Sequence, residues 1–153
     1  MRLKESVSTL VLQHQNLREI LGNIIELTAF PHSVLQIEML LSKFRLHLIE
    51  HIKLENDVFY KDYLNEKINF STLIEAYKFI RQMNAIEKSI TEFLDRYQTE
   101  AQIHDSLESF TAEVKIIAEK LSARIEAEEK GIYEIYRSPR RDVEITLAGK
   151  KSM

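Results

Sequence analysis

The sequence predicts an all-α protein, an up-down-up-down four-helix bundle. Two observations carry this. Four long segments place apolar residues at alternating steps of three and four, which puts them on one face of a helix. Only three Gly and two Pro occur in 153 residues, so turns are few and elements are long. Four such helices with short connections pack as an antiparallel bundle.

The first segment runs from about Leu3 to Thr28, with Val7, Leu10, His14, Leu17, Leu21, Ile24 and Thr28 on one stripe. Ala29-Phe30-Pro31 ends it, and Pro31 suits the first turn of the next helix. Ser33 and Gln36 have capping-box spacing there. The second helix reaches about Leu64, with Ile37, Leu41, Phe44, Leu48, His51, Glu55 and Val58 or Phe59 inward. After "NEKINFST", Thr72 and Glu75 form a second candidate capping box. The third helix carries Leu73, Tyr77, Ile80, Met83, Glu87, Ile90, Leu94 and Tyr97. The link "QTEAQ" leads to the fourth. Its stripe is Ile103, Leu107, Phe110, Val114, Ile117, Leu121, Arg124, Glu128, Ile132 and Ile135, and Ser138-Pro139 stops it. The bundle is expected over residues 1–137. The tail, 138–153, holds a strand-like "VEITL" that either pairs with another chain or is disordered.

Composition excludes several classes. The net charge is −3, which gives no drive toward nucleic acid or an acidic membrane. The chain has no Cys, hence no disulfide, thiolate metal site or Cys nucleophile. No stretch approaches the length of a membrane span. The N-terminus lacks the apolar core of a signal peptide. A cytoplasmic protein is expected.

Each stripe is interrupted by ionisable groups: His14, His51 with Glu55, Glu87, and Arg124 with Glu128. Helix direction alternates, so all six should lie ~15–20 Å from the same end of the bundle at ~1.5 Å rise per residue. Burying unpaired charge is costly, so a cluster at one level needs compensation. A cation supplies it, because imidazole and carboxylate suit iron, manganese or zinc. One solution is metal held by His14, His51, Glu55, Glu87 and Glu128, with Arg124 turned aside. The other puts Arg124 in the metal's place, paired with Glu55, Glu87 or Glu128. Tyr60, Tyr77, Tyr97, Tyr133 and Tyr136 are expected to close the bundle with their rings and keep their hydroxyls wet.

"HIKLENDVF" around His51 and Glu55, with His14 before it and "RIEAEEKGIYEIY" after, resembles the hemerythrin-like (HHE cation-binding) family. The resemblance covers about Leu3 to Arg137. It implies a four-helix bundle around a non-haem di-iron centre. In that family the ligands are a His on helix one, His-x-x-x-Glu on helix two, further His on helix three, and a His plus a carboxylate on helix four. His14, His51, Glu55 and Glu128 match. Arg124 stands where helix four should carry its His, and helix three offers Glu87 in place of histidine. The implied function is metal binding, one or two iron ions, in sensing, storage or redox signalling, with a small ligand such as oxygen. Manganese or zinc are alternative metals. The alternative function is a metal-free bundle that binds a protein partner, as monomer or dimer. A third class, an oxidase or peroxide-consuming enzyme, needs an open metal position and a channel.

Overall fold

A computed structural model describes residues 2–65 and 70–134. The tail 138–153, with "VEITL", Ile135 and Tyr136, lies outside them. The first helix, α1, spans Arg2–Leu27. A 3-10 turn at Pro31–Ser33 leads into α2, Val34–Leu54. A π-helical turn, Glu55–Tyr60, continues α2 into the short α3, Lys61–Leu64. Then come α4, Phe70–Arg96, α5, Glu100–Asp105, and α6, Leu107–Lys130. No strand occurs among the described residues, and no helix there is long and apolar enough to cross a membrane. In the bundle α1 packs on α2 and α6, and α6 packs on α1 and α4.

The apolar stripes bury as their spacing predicts. Two apolar clusters result. The larger joins Leu17, Leu21 and Ile24 of α1 with Ile37, Leu41, Phe44 and Leu48 of α2, Ile90 and Phe93 of α4, and Phe110, Val114, Ile117 and Leu121 of α6. The smaller joins Leu3, Val7, Leu10, Phe59, Tyr60, Tyr63, Ala76, Ile132 and Tyr133. His14, His51, Glu55 and Glu128, all buried, lie between the two in sequence, and buried Arg124 sits at the boundary, beside Ile125 of the larger cluster. The clusters exclude water above and below this polar layer.

Local details depart from the pattern at four places. Tyr77 is 53% exposed and Ala76 is buried in its stead. The face of α4 is rotated by one residue at its start. Thr72 lies inside α4, which begins at Phe70, so Thr72 and Glu75 do not cap it. Ser33 makes no side-chain cap, because the 3-10 turn precedes α2 and its N–H bonds to Phe30 O at 2.9 Å. The fourth segment is broken at Ser106 into α5 and α6. The break lets α5 fold onto α2 and bury Ile103. The capping box in this region is Thr99 with Gln102. The Thr99 hydroxyl accepts from the Gln102 N–H at 3.2 Å, and the Gln102 amide oxygen accepts from the Thr99 N–H at 3.1 Å.

Phe110 sits fully buried between Phe93 and Tyr97, with ring centroids 5.6 and 5.0 Å away. Truncating it removes a large apolar side chain and leaves a cavity. Phe110→Ala is expected to lower unfolding free energy by about 3–5 kcal/mol in urea titration. A loss under about 1 kcal/mol would mean that the core collapses around the gap.

Candidate metal centre

Why these side chains meet follows from helical spacing. His51, in the last turn of α2, and Glu55, the first residue of the π-helical turn, are one turn apart, so both face inward. Arg124 and Glu128 share that spacing on α6, and His14 faces them from α1. One donor atom each from His14, His51, Glu55 and Glu128 gathers within 4.8 Å of the others, and all four residues are buried.

The two imidazoles are oriented from outside. His14 Nδ1 lies 2.8 Å from a Glu129 carboxylate oxygen, and His51 Nδ1 lies 2.9 Å from the Gln13 amide oxygen. Both partners are acceptors, so each Nδ1 carries the proton and donates. The tautomer follows from this hydrogen-bond network. Each Nε2 is then a bare lone pair aimed at the cluster. His14 Nε2 lies 3.2 Å from Glu128 Oε1, and His51 Nε2 lies 3.6 Å from Glu55 Oε2. The first approach brings two acceptors together without a proton between them. His14 Nε2 and Glu128 Oε1 indeed have no hydrogen-bond partner. The rings pack 4.6 Å apart, and His14 stacks on Tyr133 at 5.6 Å.

Arg124 turns inward, into the cluster. Its guanidinium donates to Glu55 Oε1 in a close ion pair. Nε lies 3.6 Å from Glu128 Oε2, and Nη1 lies 3.6 Å from Glu87 Oε2. Glu87 is 21% exposed and stands beside Arg124; it is outside the four-residue group.

Two tyrosines join the polar layer. Tyr60 donates its hydroxyl to Glu128 Oε2 at 2.5 Å, and Tyr133 donates to Glu55 Oε2. Both hydroxyls are buried, which corrects the expectation that they stay in water. The reason is backbone register. The π-helical turn carries Tyr60 five residues past Glu55 onto the same inner side. At the end of α6 the Tyr133 N–H bonds to Glu128 O at 3.0 Å, another five-residue closure. Each tyrosine thus lies five residues after one glutamate and hydrogen-bonds the other. The signal was in the sequence: Glu55-x4-Tyr60 and Glu128-x4-Tyr133 have the same spacing. π-turns inside α-helices are frequent at functional sites. Gly131 belongs to this second closure, since a Cβ there would stand 2.5 Å from Ala127 O. Gln13 and Glu129, the outer partners of the imidazoles, lie outside the residues that the sequence singles out. No sequence pattern marks them, because each flanks a stripe residue by one position.

The electrostatics follow from burial. Burial pushes His51 down to about 3 despite the Glu55 carboxylate. It lowers His14 too, against the hydrogen bond to Glu129. Burial and the nearby Glu128 carboxylate push Glu55 up to about 7, against Arg124 and His51. Burial opposes the charge on Arg124, but Glu55 and Glu128 more than offset it, and its pKa rises. Burial and the Glu55 and Glu128 carboxylates raise Tyr60 and Tyr133, so both phenols remain donors.

The donor set fits a cation. Two neutral imidazole nitrogens and two carboxylates converge, with partnerless atoms facing the middle. Ligating histidines characteristically donate the other ring N–H to a carboxylate or carbonyl. His14 and His51 do this. On the far side of Glu55 the cation is Arg124, which has no lone pair to offer a metal.

Removing Arg124 leaves Glu55 buried without its main partner. Arg124→Leu is expected to destabilise the metal-free chain by about 3–5 kcal/mol in urea titration. A near-neutral result would show that Glu55 is held by Tyr133 alone.

The comparisons with known proteins agree with this geometry. No curated protein and no solved structure gives a significant match. The family model for the hemerythrin HHE cation binding domain matches residues 5–136. The match spans most of the chain and takes in His14, His51, Glu55, Arg124 and Glu128: the protein belongs to the hemerythrin HHE cation-binding family.

Proposed function

We propose that the chain is a non-haem metal protein that holds iron on His14, His51, Glu55 and Glu128, in a sensing, storage or redox-signalling role. One observation carries this reading. Both imidazoles are tied by their outer nitrogens, to Glu129 and Gln13, so that both inner nitrogens offer lone pairs to a point shared with two carboxylates. A chain that bound no cation would gain nothing from two unprotonated nitrogens facing carboxylate oxygens. Imidazole with carboxylate suits iron, and manganese or zinc less specifically.

Bound iron would supply an electron-exchanging centre and a coordination position for a small ligand such as oxygen. The chain's own residues do the rest. Gln13 and Glu129 orient the imidazoles, Tyr60 and Tyr133 steady the carboxylates, and the apolar clusters keep water out. Tyr60 also lines a surface groove of about 500 Å³, with Asn56, Asp57, Lys61, Leu64, Tyr77, Ile80 and Asn84.

A second reading has its own support. Arg124 already pairs with Glu55 and stands near Glu87 and Glu128. In a metal-free bundle this pairing would stabilise the layer, and the exposed Leu35, Met39, Leu46 and Ile49 of α2 would meet a protein partner.

Metal analysis of the purified chain separates the two. Bound iron that is lost in His51→Ala is the expected outcome, together with thermal stabilisation on metal addition, about 2.7 kcal/mol at a hundredfold excess over Kd. A folded chain that takes up no iron, manganese or zinc, and whose Tm they leave unchanged, overturns the iron reading in favour of the partner-binding one.

A further inference from the structure

Each buried carboxylate of the centre is divided between the Arg124 side and the histidine side, and each also accepts from a tyrosine, Glu55 Oε2 from Tyr133 and Glu128 Oε2 from Tyr60. Glu55 turns Oε1 to the Arg124 guanidinium and Oε2 toward His51 Nε2, 3.6 Å away. Glu128 Oε2 lies 3.6 Å from Arg124 Nε, an ion-pair approach without a hydrogen bond, and Oε1 lies 3.2 Å from His14 Nε2. The two glutamates therefore stand as parallel bridges between two positions. At one position sits a protein cation. At the other are two imidazole nitrogens without protons and the partnerless Glu128 Oε1.

The two positions are opposite in chemistry. The Arg124 position already holds its positive charge, and Glu87 Oε2 leans on it from α4 at 3.6 Å. The histidine position holds no cation: its two ring nitrogens lack protons, Glu128 Oε1 has no partner, and the one hydroxyl that reaches it, from Tyr133, donates to Glu55 Oε2. Carboxylates that bridge two positions in a helical bundle are how two-metal centres are made. In this chain one of the two positions is filled by a side chain. Guanidinium stays protonated and cannot ligate, so a second ion would have to displace Arg124 from a site where it is only 2% exposed.

We infer that the centre binds a single divalent transition-metal ion, on His14, His51, Glu55 and Glu128, and that Arg124 permanently holds the place of a second ion. This rests on the metal-binding reading above and fixes its nuclearity. Charge supports it. The carboxylates of Glu55, Glu87 and Glu128 balance one guanidinium and one divalent ion. A second ion beside Arg124 would add two positive charges with no carboxylate in the layer to meet them; Glu129 is already engaged by His14 Nδ1. Glu87, in this arrangement, is a partner of Arg124 rather than a ligand.

The test uses the full chain, stripped with chelator and titrated with Mn(II). Bound metal per chain is measured after desalting, and the EPR spectrum is recorded. One Mn(II) per chain with an uncoupled six-line signal is expected, with the ion lost in His51→Ala and retained in Glu87→Gln and Arg124→Lys. Arg124→His exchanges the cation for a ligand beside Glu55 and Glu87, and two ions per chain are expected. Two ions with a coupled spectrum in the unaltered chain overturn the single-ion inference and leave metal binding standing. No bound ion overturns both. An ion kept by His51→Ala but lost by Glu87→Gln puts the metal on the Arg124 side, and also overturns it. Should Arg124→His not fold, Glu87→Gln and the spectrum of the unaltered chain decide the matter.

Discussion

Two carboxylates buried side by side dominate this molecule. Glu55 and Glu128 have no exposed surface, and burial and the nearby Glu128 carboxylate disfavour the charge on Glu55. Desolvation of a carboxylate costs several kcal/mol even after relaxation, of order 20 kcal/mol in the idealised limit. Everything around the pair answers that cost. Arg124 supplies a positive charge, Tyr60 and Tyr133 supply hydroxyl protons, and the histidine side supplies the donors for a cation. The apolar clusters on either side make the cost higher, because they exclude water. They also make each compensating interaction stronger, since low dielectric acts on both.

The crossed arrangement of the tyrosines has a structural consequence. Each phenol ties the end of one long helix to the glutamate of the other, so α2 and α6 are coupled through four side chains. Regular α-helix would not place a residue five positions on beside its glutamate. The π-turn at Glu55–Tyr60 and the closure at Tyr133 supply the extra residue. A π-turn is less favourable than the α-helix it replaces, and here two buried hydrogen bonds to carboxylates offset it. Charge-assisted bonds of this kind are about twice as strong as neutral ones.

A guanidinium held inside the layer gives it a positive charge that belongs to the chain itself. Arg124 pairs with Glu55 and so keeps an ion pair across the bundle interior whatever else the layer holds. Part of the compensation for the buried carboxylates is therefore built into the fold, whereas in a site made only of ligands it comes with the metal.

The fold was legible in the sequence because period-3.6 patterning is local information. Val7 through Ile24, Ile37 through Leu48, and Phe110 through Leu121 bury where their spacing puts them. The same periodicity, with alternating helix direction, brought His14, His51, Glu55, Arg124 and Glu128 to one level. What periodicity cannot carry is the side-to-side relation of helices. It left open whether Arg124 turns in or out, and whether Glu87 stands with the histidines or beside Arg124, where it is found. It assumed unbroken α-helix, and so sent Tyr60 and Tyr133 to the solvent and missed the break at Ser106. Gln13 and Glu129 became visible only once neighbouring helices were packed. A sequence repeats each helix's own geometry, but the partner of a buried polar atom is chosen by a different helix, through space.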